Sequence, residues 1–448
     1  MTDPRPKLSW SDLAGTRAGI WGLGREGHAN LRKLLTLGVE PVLVDDLPAG
    51  PVDGRSVLAT ADGGLAALQR CDVVVKTPGL SRYRPEVAHL SASGIPVVGG
   101  LGLWLAEADL RRVLCVTGTK GKSTTSSVTG HLLAGLGYRC MVGGNIGVAP
   151  YDPAHAGDFD YWVIEVSSYQ ATDLPCSPPV VAVTSLHPDH LDWHGGVDGV
   201  ERYYRDKLSA CSQPGAELTV ANGDSDLLRE HVALLGPRVE WVGEHDDPEA
   251  SWTEPLGLPG RHNRRNALIA RRCLAALGVP GAGDDARLRA AAAGYQPLPS
   301  RLTPAGAVGG VTFIDDSLST NVLPTLAALD AFPGRRIALI VGGHDRGIDY
   351  APLAAGVLAR PAPTYVLTLP DSGPRIRAEI EQAAGNEEPA PFAGVTDCPD
   401  LAAAVAAGFR WASPDGVVLL SPAAPSFGQF RDYRDRGEAF AREVRRLT

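Results

Sequence analysis

One rhythm constrains this chain more than any other feature: a short unbroken apolar run, glycine or polar punctuation, then a stretch with helical periodicity. It begins at RAGIWGLG (17–24), which leads into HANLRKLLTLG (28–38) and then the strand-like PVLVDD (41–46). It returns at CDVVVKTPG (71–79), RRVLCVTGTKGKS (111–123), YWVIEVSS (161–168) and PVVAVTSL (179–186), and again at RRIALIVGG (335–343), PTYVLTLP (363–370) and GVVLLSPA (416–423). A strand with one wet face alternates apolar and polar residues, whereas a continuous Val/Ile/Leu run is buried on both faces and alternates with covering helices. The expected class is α/β throughout, with parallel sheets.

At 448 residues the chain exceeds what a single core ordinarily organises. GIPVVGGLGLWLAEADL (94–110) reads as the exit from a first unit, and AAAGYQPLPSRLTPAGAVGG (291–310) as a second hinge. The expected domains are therefore 1–105, 106–298 and 299–448. The net charge of −9 argues against a protein that coats nucleic acid, which draws on clustered basic residues. Seven dispersed cysteines without a CxxC pair fit a reducing cytoplasm rather than a disulfide framework or zinc knuckle. MTDPRPKLSW lacks the apolar run of a signal peptide, and no stretch reaches the ~20 apolar residues of a membrane span. A soluble cytoplasmic protein is expected, with no nucleic-acid or membrane partner.

Five places carry chemistry. The first βα turn, Gly22-Leu23-Gly24-Arg25-Glu26-Gly27, has Asp45 and Asp46 at the end of the next strand. That context offers backbone amides to a phosphate; NAD and other nucleotides both fit it, as does a tightly packed turn. Thr117-Gly118-Thr119-Lys120-Gly121-Lys122-Ser123-Thr124 joins a strand to a helix. Val116 stands where GxxxxGK[ST] wants its first glycine, so the shorter TGTxGKST form applies: amides and Lys122 for phosphates, Ser123 for Mg²⁺. Glu165 ends the strand YWVIEVSS ahead of Ser167 and Ser168, where an α/β fold places a metal-binding acid. His187-Pro188-Asp189-His190-Leu191-Asp192-Trp193-His194 is dense in potential ligands; a zinc hydrolase on His187, His190 and His194 and a polar loop beside a nucleotide site are both open readings. Lys207, in ERYYRDKLSA, reads on its own as a surface lysine. The last unit carries Asp315-Asp316-Ser317, Arg301 in the hinge, and Gly342-Gly343-His344-Asp345-Arg346-Gly347, placed as a lid over the nucleotide would be.

In order along the chain, TGTKGKST, EVSS, HPDHLDWH, Lys207, GRHNRRN (260–266), Arg301, DDSLSTN (315–321) and LSPAAPSFGQFRDYRDRGEAF (420–440) resemble the Mur ligase family, ATP-dependent amino-acid ligases of peptidoglycan precursor synthesis. GLGREG and the SPA…SF…QF tail are most similar to its glutamate-adding branch, which acts on UDP-N-acetylmuramoyl-L-alanine. The resemblance implies a Rossmann-like first domain for the UDP part, a P-loop ATPase centre and a Rossmann-like amino-acid domain, working as a monomer. By the same resemblance Gly118–Thr124, Asn263, Asn266, Arg301 and Asp316 contact ATP. Ser123, Glu165, His190 and a carbamylated Lys207 hold two Mg²⁺ ions. Gly24, Arg25, Asp45, Thr77, Gly79, Asn145 and Ser167 line the UDP-substrate path, and Arg346, Ser426 and Tyr433 grip glutamate.

The chain departs from members that take D-glutamate. Leu318 replaces the lysine of DDSKATN, Arg346 a lysine of the glycine loop, Ser300 the histidine before Arg301, and Gly428 the aspartate of SxDQF. A desolvated γ-carboxylate needs a cation, so losing a lysine implies a rebuilt pocket; L-glutamate is the favoured substrate and D-glutamate the alternative. A folylpolyglutamate-synthase-like ligase and a non-enzymatic nucleotide switch are the remaining readings.

Overall fold

The computed structural model describes residues 5–190, 192–195, 199–385 and 391–447. It divides into two compact units. One runs to Leu256 and resumes over Arg265–Tyr295; the other takes Gly257–Arg264 and the chain from Gln296 onward.

The first unit holds two all-parallel sheets. One is built from β1 (Ala18–Trp21), β2 (Val42–Asp45), β3 (Val57–Ala59), β4 (Val73–Lys76) and β5 (Val97–Gly99) in the order β3-β2-β1-β4-β5. The other has β6 (Val113–Thr117), β7 (Cys140–Gly144), β8 (Tyr161–Glu165), β9 (Val180–Val183), β10 (Leu218–Asn222) and β11 (Val239–Val242) in the order β11-β10-β9-β6-β8-β7. β1, β4, β6 and β9 are buried along their whole length, as continuous apolar runs require. One apolar cluster spans both sheets, with Val75 and Val98 alongside Val113, Ile164 and Val181. In each sheet the strand order turns back beside a glycine-rich loop, after β1 and after β6, and there the carboxyl ends of the strands open a crevice.

The second unit's sheet comprises β12 (Thr303–Val308), β13 (Val311–Asp315), β14 (Ile337–Val341), β15 (Thr364–Thr368), β16 (Phe392–Asp397) and β17 (Val417–Leu420), ordered β12-β13-β17-β14-β15-β16. Only the β12–β13 pair is antiparallel. Its two-residue turn, Gly309-Gly310, has both φ positive, the geometry that matches strand twist in a tight hairpin. The segment read as a hinge thus contains an edge strand. Pro304 is tolerated there because an edge residue has no obligation to donate on its outer side.

All seven cysteines are unpaired, and all but Cys140 are buried. No helix among the described residues is long and apolar enough to cross a membrane.

Candidate active site

The phosphate loop begins where β6 ends. Gly118 has φ +130° and Gly121, which caps the helix Lys122–Gly135, has φ +90°. A Cβ on Gly118 would sit 2.3 Å from Thr184 Oγ1, and one on Gly121 2.9 Å from Asn266 Oδ1, so both glycines are demanded by space as well as by backbone angle. The segment leaving the adjacent strand β9 pins the loop: Thr119 N donates to Ser185 O at 2.9 Å and Lys120 N to Ser185 Oγ at 2.8 Å. Lys122 curls back over it, donating to Gly118 O at 2.8 Å and Thr119 O at 3.1 Å. Ser123 and Thr124 are half-buried in the first turn of the helix, whose amino end favours anions. Asn266 reaches this loop from the helix that re-enters the first unit.

Lys207 arrives from the helix Val200–Leu208. It is 3% exposed and donates to Gly118 O at 3.0 Å, with Tyr203 one turn earlier presenting its ring 5.0 Å from Nζ. Burial, and then the neighbouring Lys122, push its pKa well below that of an ordinary lysine. The reading of Lys207 as a surface residue is thereby excluded.

Glu165, at the end of β8, is buried. Oε1 accepts from Asn145 Nδ2 at 2.6 Å, while Oε2 is buried with no hydrogen-bond partner among the described residues. An orphaned carboxylate oxygen is costly unless a cation takes it, which suits a hard, oxygen-seeking metal such as Mg²⁺. His190 has φ +52° and stands half in solvent; partial desolvation, with Lys207, Lys120 and Lys122 outweighing Asp189, lowers its pKa and favours the neutral imidazole. Burial raises the Asp189 carboxyl, but Lys120, His190 and Lys207 outweigh it and hold the pKa down; Lys120 Nζ lies 3.3 Å from Asp189 Oδ2.

The zinc reading fails on its third histidine. His194 is fully buried, with Nδ1 2.6 Å from Asp206 Oδ2 and Nε2 3.1 Å from Ser168 Oγ, so both ring nitrogens are occupied. Among the described residues no three His, Cys, Asp or Glu side chains gather into a metal-binding group. Ser167 caps the short helix Ser168–Ala171 in a reciprocal box with Gln170.

At the first glycine turn the glycines divide their tasks. A Cβ on Gly22 (φ +93°) would fall 2.1 Å from Thr77 Oγ1, and one on Gly27 2.1 Å from Gly22 O, so these two are fixed by packing. Gly24 is exposed with nothing within 4 Å of a Cβ, and it stands at the amino end of the helix Arg25–Thr36. Asp45 proves to be a turn-holder: its oxygens accept from Leu23 N at 2.7 Å and Leu47 N at 3.0 Å. Arg25 donates to Asn145 O at 3.2 Å, linking this turn to the Asn145–Glu165 pair, and the Gly79 carbonyl accepts from Trp193 Nε1 at 3.2 Å.

In the second unit Asp316 is buried and accepts from Ser319 Oγ, Ser421 Oγ and Leu302 N. Burial still raises it to about 7. Asn263 Nδ2 donates to Pro259 O at 2.8 Å, and Arg301 N to Thr303 Oγ1 at 3.4 Å. Leu318 is half-buried, Arg346 exposed, Ser426 buried, and Tyr433 opens the helix Tyr433–Arg445. Sequence reasoning passed over Arg436. This fully buried guanidinium donates to Ser317 O at 2.8 Å and Ala424 O at 3.0 Å, tying together the loops after β13 and β17, and burial lowers its pKa to about 10. Only its place in the closing RDRGEAF segment marked it.

A parallel sheet whose central strand runs into a glycine–lysine loop, with a buried acid ending the neighbouring strand, defines a nucleotide-handling α/β core. Models of the Mur ligase middle domain and of the Mur ligase, glutamate ligase domain match residues 116–254 and 300–424. Relatives named UDP-N-acetylmuramoyl-L-alanine–L-glutamate ligase include one from Micromonospora sp., 41% identical over 97% of this chain and 98% of its own length. Another, from Xanthomonas euvesicatoria pv. vesicatoria, is 38% identical over 96% and 95%. The chain belongs to the Mur ligase family. Two solved structures from Thermotoga maritima share its fold. The UDP-N-acetylmuramate-alanine ligase MurC has a TM-score of 0.56 at 18% identity, covering 97% of this chain and 100% of its own. The MurF ligase in complex with ADP has 0.54 at 15%, covering 100% of each.

Proposed function

We propose that this protein is an ATP-dependent, ADP-forming ligase that adds glutamate, with preference for the L-enantiomer, to UDP-N-acetylmuramoyl-L-alanine in peptidoglycan precursor synthesis. The observation that carries the reading is the convergence of Lys122 and buried Lys207 on the Gly118 carbonyl of the phosphate loop. In this reading Gly118–Thr124 and Asn266 hold the ATP phosphates, and Asn263, Arg301 and Asp316 supply the second unit's ATP contacts. Mg²⁺ would be held by Ser123, Glu165, His190 and Lys207, and when bound it neutralises charge on the transferring phosphate. Lys207 is suited to its part because a depressed pKa leaves a neutral amine. The neutral amine attacks CO₂, an N–C bond forms as one C–O π bond opens onto oxygen, one N–H proton passes to solvent, and the neutral amine becomes an anionic oxygen donor.

The nucleotide substrate lies along Gly24, Arg25, Thr77, Gly79, Asn145 and Ser167, with Asp45 shaping the turn beneath it. Its terminal carboxylate attacks the γ-phosphorus in line, ADP departs, and Lys122 stabilises the charge that spreads over the phosphoryl oxygens. The glutamate amine then attacks the acyl phosphate's carbonyl, and phosphate leaves. No protein nucleophile is needed. Arg346, Ser426 and Tyr433 grip glutamate, and the aliphatic Leu318 supports the L-form, as do the names of the relatives. In this reading the protein works in the cytoplasm, as a monomer, on small-molecule substrates and without a nucleic-acid or membrane partner. The deciding experiment measures ADP release with UDP-N-acetylmuramoyl-L-alanine and each glutamate enantiomer in turn. Faster release with L-glutamate is expected; faster release with D-glutamate would leave a glutamate ligase of the other stereochemistry, and none with either would sink the reading.

A further inference from the structure

The loop after β4 is bolted to the helix that carries Lys207. Tyr83 Oη donates to Asp206 Oδ1 at 2.6 Å, and the other carboxylate oxygen meets His194 Nδ1, also at 2.6 Å. Ser168, His194 and Asp206 present the atoms of a nucleophilic triad, yet all three are buried and Asp206 is shared with Tyr83. The arrangement is therefore a strut and not a nucleophile. A buried carboxylate keeps its place only while both oxygens are satisfied, and here each oxygen has one short bond from a different segment.

Consecutive residues on a helix point about 100° apart. Asp206 faces the β4 loop, so Lys207 is turned elsewhere. It shares the side of the helix occupied by Tyr203, whose hydroxyl lies 3.0 Å from Thr119 Oγ1 of the phosphate loop. Fixing Asp206 fixes the rotation of the helix and with it the aim of Lys207. The same loop also grips the segment bearing His190: Ser81 Oγ donates to Trp193 O at 3.0 Å, and Tyr83 sets its ring edge-on to Trp193 at 6.0 Å. Arg202, on the lysine helix itself, stacks over the Tyr83 ring at 4.8 Å.

We propose that Tyr83 is a positioning residue for Lys207, acting through Asp206 to hold the amine where its carbamate can form against the phosphate loop. The proposal rests on the carbamate reading given above. Tyr83→Phe tests it well, because the ring contacts to Trp193 and Arg202 survive and only the hydroxyl is lost. Full-length protein is equilibrated with ¹³C-bicarbonate, and the carbamate resonance that disappears in Lys207→Ala is integrated. At subsaturating bicarbonate the Tyr83→Phe signal should drop several-fold. Its kcat should fall by about tenfold, in the range typical for groups behind a metal ligand, with KM for ATP and the nucleotide substrate nearly unchanged. More bicarbonate should restore both signal and rate, and Asp206→Asn should show the same bicarbonate dependence. A full signal in Tyr83→Phe, with only a lower melting temperature, would overturn the proposal, as would a defect confined to Asp206→Asn. Wild-type protein without any Lys207-dependent signal would remove the carbamate itself and the proposal with it.

Discussion

Lys122 and Lys207 donate to one and the same oxygen, the carbonyl of Gly118, at 2.8 and 3.0 Å. Two ammonium groups converging on one acceptor repel each other, and the conflict is resolved by the buried partner, whose pKa is driven down by desolvation and by Lys122. The loop therefore holds two lysines against one carbonyl, the buried one pushed toward its neutral form; in the proposed function Lys122 would meet the phosphates and Lys207 would become the oxygen donor.

Removing that amine should be severe but chemically repairable. Lys207→Ala is expected to lose about 10²-fold or more in kcat, and added acetate or formate should return part of it by replacing the missing oxygens. Steady-state ADP release with and without the carboxylates checks this; a variant as active as wild type would end the assignment.

Lys122→Ala should not be repairable in that way. Electrostatic stabilisation dominates phosphoryl transfer, so kcat should fall about 10²-fold or more whatever carboxylate is supplied. Near-native turnover would detach ATP from residues 117–124.

If the proposed substrate path is right, the first glycine turn separates folding from binding within three positions. Gly22→Ala places a Cβ 2.1 Å from Thr77 Oγ1 at φ +93° and should lower stability by about 2 kcal/mol or more. Gly24→Ala meets no atom within 4 Å at φ −67°, and should leave the melting temperature unchanged while weakening the UDP-substrate. Calorimetry with and without UDP distinguishes the two; equal losses of stability would contradict the division.

Glu26 gives a pH signature. Burial raises its carboxyl from 4.5 to about 7, against a hydrogen bond from Gln170 Nε2 at 2.8 Å. Between those two values the folded state keeps a proton that the unfolded chain has released, so stability falls as pH rises through the window and is level above it. Glu26→Gln keeps an acceptor for Gln170 and carries no charge. It should match wild type at pH ~4 and exceed it by about 1–2 kcal/mol at pH ~8, after allowance for solvent around a half-buried group. Urea unfolding at both pH values decides; a constant difference would reject the shifted carboxyl.

The stereochemical prediction concerns Leu318. Leu318→Lys restores a point charge to the position that is aliphatic here and should move preference toward D-glutamate, measured as the ratio of kcat/KM for the two enantiomers. An unchanged ratio would place the selectivity elsewhere in the pocket.

What could be read from the sequence follows from what is local. β1, β4, β6, β8, β9, β14, β15 and β17 announced themselves because strands buried on both faces are uninterrupted apolar runs. β5 and β12 did not, since each is short or rich in glycine and proline and draws its stability from its neighbours. Asp45 was legible as an acid after β2, but an acid that meets a ribose and one that caps a turn are identical in sequence. The Tyr83–Asp206 bond and the engagement of His194 join residues far apart in the chain, and nothing in the composition of either segment points to its partner.

The chain completes neither compact unit in one pass: it leaves the first at Leu256, spends Gly257–Arg264 in the second, and returns for Arg265–Tyr295 before leaving for good. A growing chain on the ribosome therefore cannot finish its first unit until Tyr295 has emerged, and by then a fragment of the second is already committed. The same threading bears on inheritance. A single crossover between two genes of this layout therefore cannot exchange either unit whole, because a cut after Tyr295 leaves Gly257–Arg264 behind with the first unit.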